Sequence, residues 1–217
     1  MSNPTATPGQ DETPELSDDE LEQLLQGIGT PYRESDLGED WLVPELIHPG
    51  ITCVTGQPER GKTTLLISLC EALLNGAYWL GRPTNLRSGK QVIYLCEDHS
   101  TARRVRQAFG SNIYVAVLQR WEQGASLTDL VAQTNAGLVI IDSIYPPVGN
   151  VNEQDRADVF LSAVQALAIP VVLVHHQAKG SSGSPAGVQR FSAAYRQTIR
   201  IKNCAAASDG WLQLDLT

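Results

Sequence analysis

Gly56-Gln57-Pro58-Glu59-Arg60-Gly61-Lys62-Thr63-Thr64 follows directly on the apolar run Ile51-Thr52-Cys53-Val54-Thr55 and opens a helical pattern, Lys62-Thr63-Thr64-Leu65-Leu66-Ile67-Ser68-Leu69-Cys70. A β-type run, a glycine-bounded loop and a helix, in that order, are the setting in which a G-x-x-x-x-G-K-T stretch is a Walker A phosphate loop. The spacing has a mechanical reason. Backbone N–H groups of the loop wrap the phosphates, Lys62 reaches the β and γ oxygens, and the Thr63 hydroxyl ligates Mg²⁺. The helix that begins at Lys62 adds N-terminal amides and a dipole whose sign favours an anion. Residues 56–64 therefore predict a nucleoside triphosphate site, with ATP and Mg²⁺ as the expected ligands. The chain has no Asn-Lys-x-Asp stretch to read guanine.

Outward from this loop, apolar β-rich runs at 51–55, 91–96, 112–117, 137–141 and 170–174 alternate with helical patterns near 62–75, 99–109, 126–134 and 155–167. That alternation predicts an α/β domain with a mostly parallel central sheet covered by helices on both faces. Gln197-Thr198-Ile199-Arg200-Ile201-Lys202 and Trp211-Leu212-Gln213-Leu214-Asp215-Leu216 alternate residue by residue. They predict half-exposed antiparallel strands at one edge, near the C-terminus.

Three strand ends carry further chemistry. Leu138-Val139-Ile140-Ile141-Asp142 is an aliphatic strand ending in a carboxylate, and Asp142 at its C-terminal end is suited to hold Mg²⁺ beside Thr63. Val92-Ile93-Tyr94-Leu95-Cys96-Glu97-Asp98 also ends in acids. Glu97 is expected to orient the water that attacks the γ-phosphate, while Asp98 suits the cap of the helix starting near Ser100 and is the alternative base. Val171-Val172-Leu173-Val174-His175-His176-Gln177 ends in polar groups able to feel the γ-phosphate. Adjacent strand residues point to opposite faces, so His175 and His176 make a poor two-ligand metal site and a better phosphate sensor.

Composition bounds the rest. With 217 residues there is room for one α/β domain and a tail. Residues 1–40 hold eleven Asp and Glu against Arg33 alone, a net charge of −10, whereas 41–217 hold thirteen acids against fifteen Lys and Arg, a net of +2. The acidic balance belongs to the tail, and the near-neutral body neither demands nor excludes nucleic acid. The tail is expected to be largely disordered apart from a short amphipathic helix near 17–28. There Ser17-Asp18-Asp19-Glu20 forms a capping box and Leu21, Leu24, Leu25 and Ile28 an apolar stripe. This helix docks on a partner or a neighbouring copy, or packs on its own body. Cys53, Cys70, Cys96 and Cys204 lack C-x-x-C spacing and three of them lie inside apolar strand or helix patterns, so they read as buried free thiols rather than a zinc site or disulfides, as in a reducing, cytoplasmic compartment. No apolar stretch is long enough to span a membrane.

The four motifs in this order resemble the RecA-type P-loop ATPases, most closely the RepA-like hexameric replicative helicase branch, over about Trp41 to Leu216. The lead-in Trp41-Leu42-Val43-Pro44-Glu45-Leu46-Ile47-His48-Pro49-Gly50 is similar too. The resemblance implies a RecA-like core over 41–217 with the base at Glu97, magnesium at Asp142 and a sensor at His175, His176 or Gln177. It also implies self-assembly into a hexameric ring or filament. Arg200-Ile201-Lys202 then matches a basic-x-basic pattern by which a neighbouring subunit completes the site, and loops 143–154 and 178–189 meet single-stranded DNA. Two features depart from the pattern. Glu59 and Arg60 stand where relatives usually carry small residues, and the 178–189 loop has only Lys179 and no aromatic ring to stack on a base. The expected function is an Mg²⁺-dependent ATPase acting on DNA or a DNA-processing complex. The alternative is a nucleotide-gated assembly or adaptor protein with little turnover, recruiting partners through residues 1–40.

Overall fold

The computed structural model describes residues 41–118, 127–148, 154–176, 189–202 and 213–217. The tail with its expected helix near 17–28, most of the 178–189 loop, Gln177 and Cys204 lie outside the described residues. Strand β1, Ile51–Gly56, is buried at every position, as a parallel strand covered on both faces requires. Helix α1, Lys62–Asn75, follows the loop, and its Leu66 and Leu69 are fully buried. Each such leucine contributes about 1.5–3 kcal/mol by leaving water.

The chain continues through β2 (Gln91–Cys96), α2 (His99–Phe109), β3 (Tyr114–Val117), α3 (Leu127–Thr134), β4 (Ala136–Asp142) and a single helical turn α4 (Tyr145–Val148). Then come α5 (Gln154–Gln165), β5 (Val171–His176), α6 (Gln189–Ala194), β6 (Gln197–Lys202) and β7 (Gln213–Leu216). The strands form one seven-stranded sheet in the order β3-β2-β4-β5-β1-β6-β7. All neighbouring pairs are parallel except β6 with β7. The predicted α/β architecture with an antiparallel C-terminal edge is thus the observed one. Two short helices, α4 and α6, were not expected from periodicity; four and six residues are too few to repeat a 3.6-residue pattern.

Alternation along each strand divides the core into two layers. Val54, Tyr94, Ile140, Val174 and Ile199 face α1 and Val105 of α2. Ile51, Val139, Ile141 and Leu173 face Phe160 and Val164 of α5 and Phe191 of α6. The charged face of α2 stays outside, so Arg103, Arg104 and Arg106 are exposed beside buried Val105. Because the chain leaves β1 and returns three strands away as β2, with β5 and β4 filling the gap, a crevice opens at the carboxyl ends of the strands, the usual ligand position in such sheets.

Candidate nucleotide site

Register fixes which strand ends meet. Gly56 pairs with His176 and Cys96 with Asp142, so the phosphate loop, Glu97, Asp142 and His176 converge. Gly56 has to lack a side chain here, since a Cβ would stand 3.1 Å from the Ile201 carbonyl oxygen and 3.3 Å from the Ile201 Cβ. Gly61 sits at φ 81° as the N-cap of α1 and supplies no side-chain cap, which leaves the first-turn N–H groups open to an anion. Glu59 is also left-handed, at φ 61°. That conformation costs a non-glycine residue about 1 kcal/mol or more, a physical reason for small residues to be preferred there.

Lys62 is buried and reaches back across the loop, its Nζ donating to the Gly56 carbonyl at 3.0 Å and the Gln57 carbonyl at 2.8 Å. Burial pulls its pKa below the ordinary value, and the charges of Asp142 and Glu97 oppose that shift. The ammonium is thus held at the loop's centre by carbonyls that a phosphate oxygen can replace.

Asp142 is buried at the end of β4, and its Oδ2 accepts from the Thr63 hydroxyl at 2.8 Å and the Tyr94 hydroxyl at 2.9 Å. Burial raises the Asp142 pKa, while both hydroxyl bonds and Lys62 pull it down. A hydroxyl and a carboxylate are hard oxygen donors of the kind Mg²⁺ takes together with substrate phosphates. Among the described residues there is no cluster of three or more His, Cys, Asp or Glu that would form a transition-metal cage. The donor set therefore fits Mg²⁺, which Thr63 and Asp142 would hold.

Glu97 follows β2 directly and is partly exposed to the cavity. Its Oε2 accepts from the Ser143 hydroxyl at 2.5 Å and lies 3.8 Å from His176 Nε2. Asp98, by contrast, caps α2, accepting from the Ser100 and Thr101 N–H groups and from both their hydroxyls. Those bonds, that of the Ser100 hydroxyl foremost, lower its pKa to about 2. A carboxylate so occupied and so weakly basic is the poorer proton acceptor of the two. His176 is held below the ordinary histidine pKa by burial and then by Lys62, against Glu97 and Asp142.

Together these groups line a cavity of about 620 Å³ with Pro58, Glu59, Gly61, Thr64, Ser100, Thr101 and Arg104. Arg104, Tyr94 and Ser143 escape a motif reading of the chain. The Arg104 guanidinium donates to Thr64 Oγ1 at 3.3 Å from across the cavity mouth; only helical phase from Asp98 would have suggested it. Of the three residues singled out at the end of β5, His176 lines the cavity. His175 turns to the other face, where its Nδ1 meets the Tyr195 hydroxyl at 2.7 Å and its ring packs edge-on against Phe191. Gln177 is outside the described residues.

Arg200 and Lys202 do not line the cavity. They alternate with buried Ile199 and Ile201 on β6, and Lys202 forms an ion pair with Asp215 of β7. The Arg200 Nε is buried without a hydrogen-bond partner among the described residues.

A family model described as an AAA domain matches residues 35–182, well over half of the chain. No curated protein matches the sequence. Among solved structures, a KaiC-like protein from the hyperthermophilic archaeon Pyrococcus horikoshii aligns with a TM-score of 0.50 at 16% sequence identity, covering 82% of this chain and 83% of that one. At such identity the likeness speaks for the fold alone.

Proposed function

The chain belongs to the AAA domain family and has a RecA-like P-loop ATPase fold, and from that premise we propose that it is an Mg²⁺-dependent ATPase that assembles side by side with its own copies and acts on DNA or a DNA-processing complex. One observation carries the reading: Lys62, Thr63, Asp142, Glu97 and His176, drawn from four strand ends, line a single cavity. Lys62 meets the β and γ oxygens of ATP, and the first-turn amides of α1 hold the phosphates. Thr63 and Asp142 would hold Mg²⁺, which would supply charge neutralisation to the phosphates. Glu97 orients a water whose oxygen bonds to the γ-phosphorus as the bond to the bridging oxygen breaks. ADP leaves, inorganic phosphate forms, and the water proton passes to the Glu97 carboxylate.

Assembly is supported by what one chain leaves undone. Hydrolysis of this type gains from a cation beside the developing charge, and Arg200 and Lys202 stand outside their own cavity. A neighbouring copy would present them, in a ring or a filament. Segments 143–154 and 178–189 follow β4 and β5, whose ends line the cavity, which suits contact with single-stranded DNA under control of the bound nucleotide; the first is not all loop, since it contains the helical turn α4, with Ser143, Ile144 and Val148 buried. The acidic residues 1–40 are the segment for a protein partner. Among the described residues no helix is long and apolar enough to cross a membrane, in keeping with a cytoplasmic setting. One observation favours the slower alternative, a nucleotide-gated adaptor: Glu59 puts an extra carboxylate on the cavity wall.

The test is ATP hydrolysis across a range of protein concentration, with and without single-stranded DNA and with Mg²⁺ removed by chelation. Specific activity should rise with concentration, increase with DNA and vanish without Mg²⁺. Tight ATP binding with no turnover under any condition would select the adaptor reading instead.

A further inference from the structure

Glu97 is tied at two points to the segment that ends β4. Its backbone N–H donates to the Asp142 carbonyl at 2.6 Å, and its side-chain Oε2 accepts from Ser143 Oγ at 2.5 Å. Ser143 is only 1% exposed and so is itself immobilised by packing. A carboxylate can only accept, so the serine hydroxyl must donate its proton to Oε2. The same oxygen lies 3.8 Å from His176 Nε2, and Oε1 has no hydrogen-bond partner among the described residues.

We propose that Ser143 is a positioning residue that selects which oxygen of Glu97 acts: Oε2 is clamped by the serine hydroxyl, and Oε1 is turned to the attacking water. This rests on Glu97 being the base. The physical reason is that Glu97 is partly exposed, and a glutamate at a strand end has three torsions to lose before it can hold one water in line. The buried serine removes that freedom in advance. Serine follows Asp142 directly along the chain, so the residue that positions the base is set by the same strand end that carries the metal-holding carboxylate.

The experiment compares Ser143→Ala, Ser143→Cys, Ser143→Thr and Glu97→Gln in the full chain. It reads kcat, the KM for ATP, and equilibrium affinities for ADP and for ADP with aluminium fluoride, a mimic of the transferring phosphoryl group. Ser143→Ala should lower kcat about tenfold or more, with KM and ADP affinity within about twofold of the parent, and should weaken the aluminium fluoride complex by a similar factor. Ser143→Thr, which keeps the hydroxyl, should recover most of both. Ser143→Cys, close in volume and a weak donor, should show the same loss even if the alanine variant fails to fold. A parental kcat in the Ala or Cys variant, or a fall in ADP affinity matching the fall in kcat, overturns the inference. If Glu97→Gln is inactive while Ser143→Ala turns over like the parent, only the role of Ser143 is lost; if Glu97→Gln hydrolyses ATP normally, the base assignment is lost instead.

Discussion

At the cavity, Lys62, Asp142 and Glu97 are each held by bonds within their own chain. Lys62 rests on two carbonyls, Asp142 accepts from two hydroxyls, and Glu97 is tethered to Ser143. At the β6–β7 edge the two cations are treated unequally. Lys202 is neutralised by Asp215, whereas the Arg200 Nε is buried with no acceptor among the described residues. Leaving a buried donor unmade costs about 1–3 kcal/mol, and the cavity holds one unmatched buried atom of its own, His176 Nδ1. The difference is one of anchoring: the cavity's Lys62, Asp142 and Glu97 are fixed by bonds within the chain, while at the edge Lys202 is paired and the Arg200 Nε has no acceptor among the described residues.

The largest effect should come from removing the centre of the self-contained region. Lys62→Ala deletes the only side-chain ammonium lining the cavity among the described residues, and hydrogen bonds to charged groups are worth about 1.5–3 kcal/mol each. ATP affinity should fall at least about a hundredfold and hydrolysis should vanish, as measured by equilibrium binding and phosphate release; parental values would end the phosphate-loop assignment. Arg200→Ala tests the other region. It should cut hydrolysis about a hundredfold or more while leaving ATP binding intact, and mixing it with Lys62→Ala should restore part of the activity, because one variant offers a whole cavity and the other a whole edge. Lys202→Ala should do less, since Lys202 must first give up Asp215. No recovery on mixing and no dependence on protein concentration would make both regions parts of one independent subunit.

Smaller effects separate the neighbours Glu97 and Asp98. Asp98→Ala removes a helix cap and should cost about 1 kcal/mol of stability with turnover kept, measured by denaturant unfolding. The carboxylate pKa is lowered from its ordinary 3.8 to about 2 in the folded chain, so its contribution is complete above about pH 4 and is lost as pH falls toward 2. That acid-side slope should flatten in Asp98→Asn. The smallest effect is expected from Glu59→Gly, which relieves a left-handed φ of 61° and removes an anion from the cavity wall. ATP affinity should rise a few-fold, within the 0.2–1 kcal/mol typical of exposed charge interactions. Weaker binding would mean that Glu59 contributes to the site rather than burdening it.

The cavity side of this comparison was legible in the chain to the extent that its parts are contiguous. The glycine-bounded loop, the aliphatic strand ending at Asp142 and the acids after β2 each announce themselves within ten residues. Tyr94 and Ser143 do not, because their partners Asp142 and Glu97 are 48 and 46 residues away and only strand register brings them together. The two histidines show the same limit. Alternation says that they face opposite ways, but which one meets the cavity depends on the pairing of Gly56 with His176. At the edge, the alternation of Arg200 and Lys202 with Ile199 and Ile201 was readable, whereas the ion pair of Lys202 with Asp215 was not, because the antiparallel register sets Asp215 opposite Arg200 and the pair forms on the diagonal.

Cys53, Cys70 and Cys96 are free and buried in β1, α1 and β2, and burial pushes each of their pKa values up to about 12. Thiolate is the species that reacts with disulfide reagents and alkylators, so in the folded chain these three sulfurs are chemically silent. Their reaction waits for the surrounding elements to open. Thiol-exchange kinetics therefore time the opening of the central sheet from inside, and Cys96, the residue before Glu97, carries that clock to the edge of the nucleotide site.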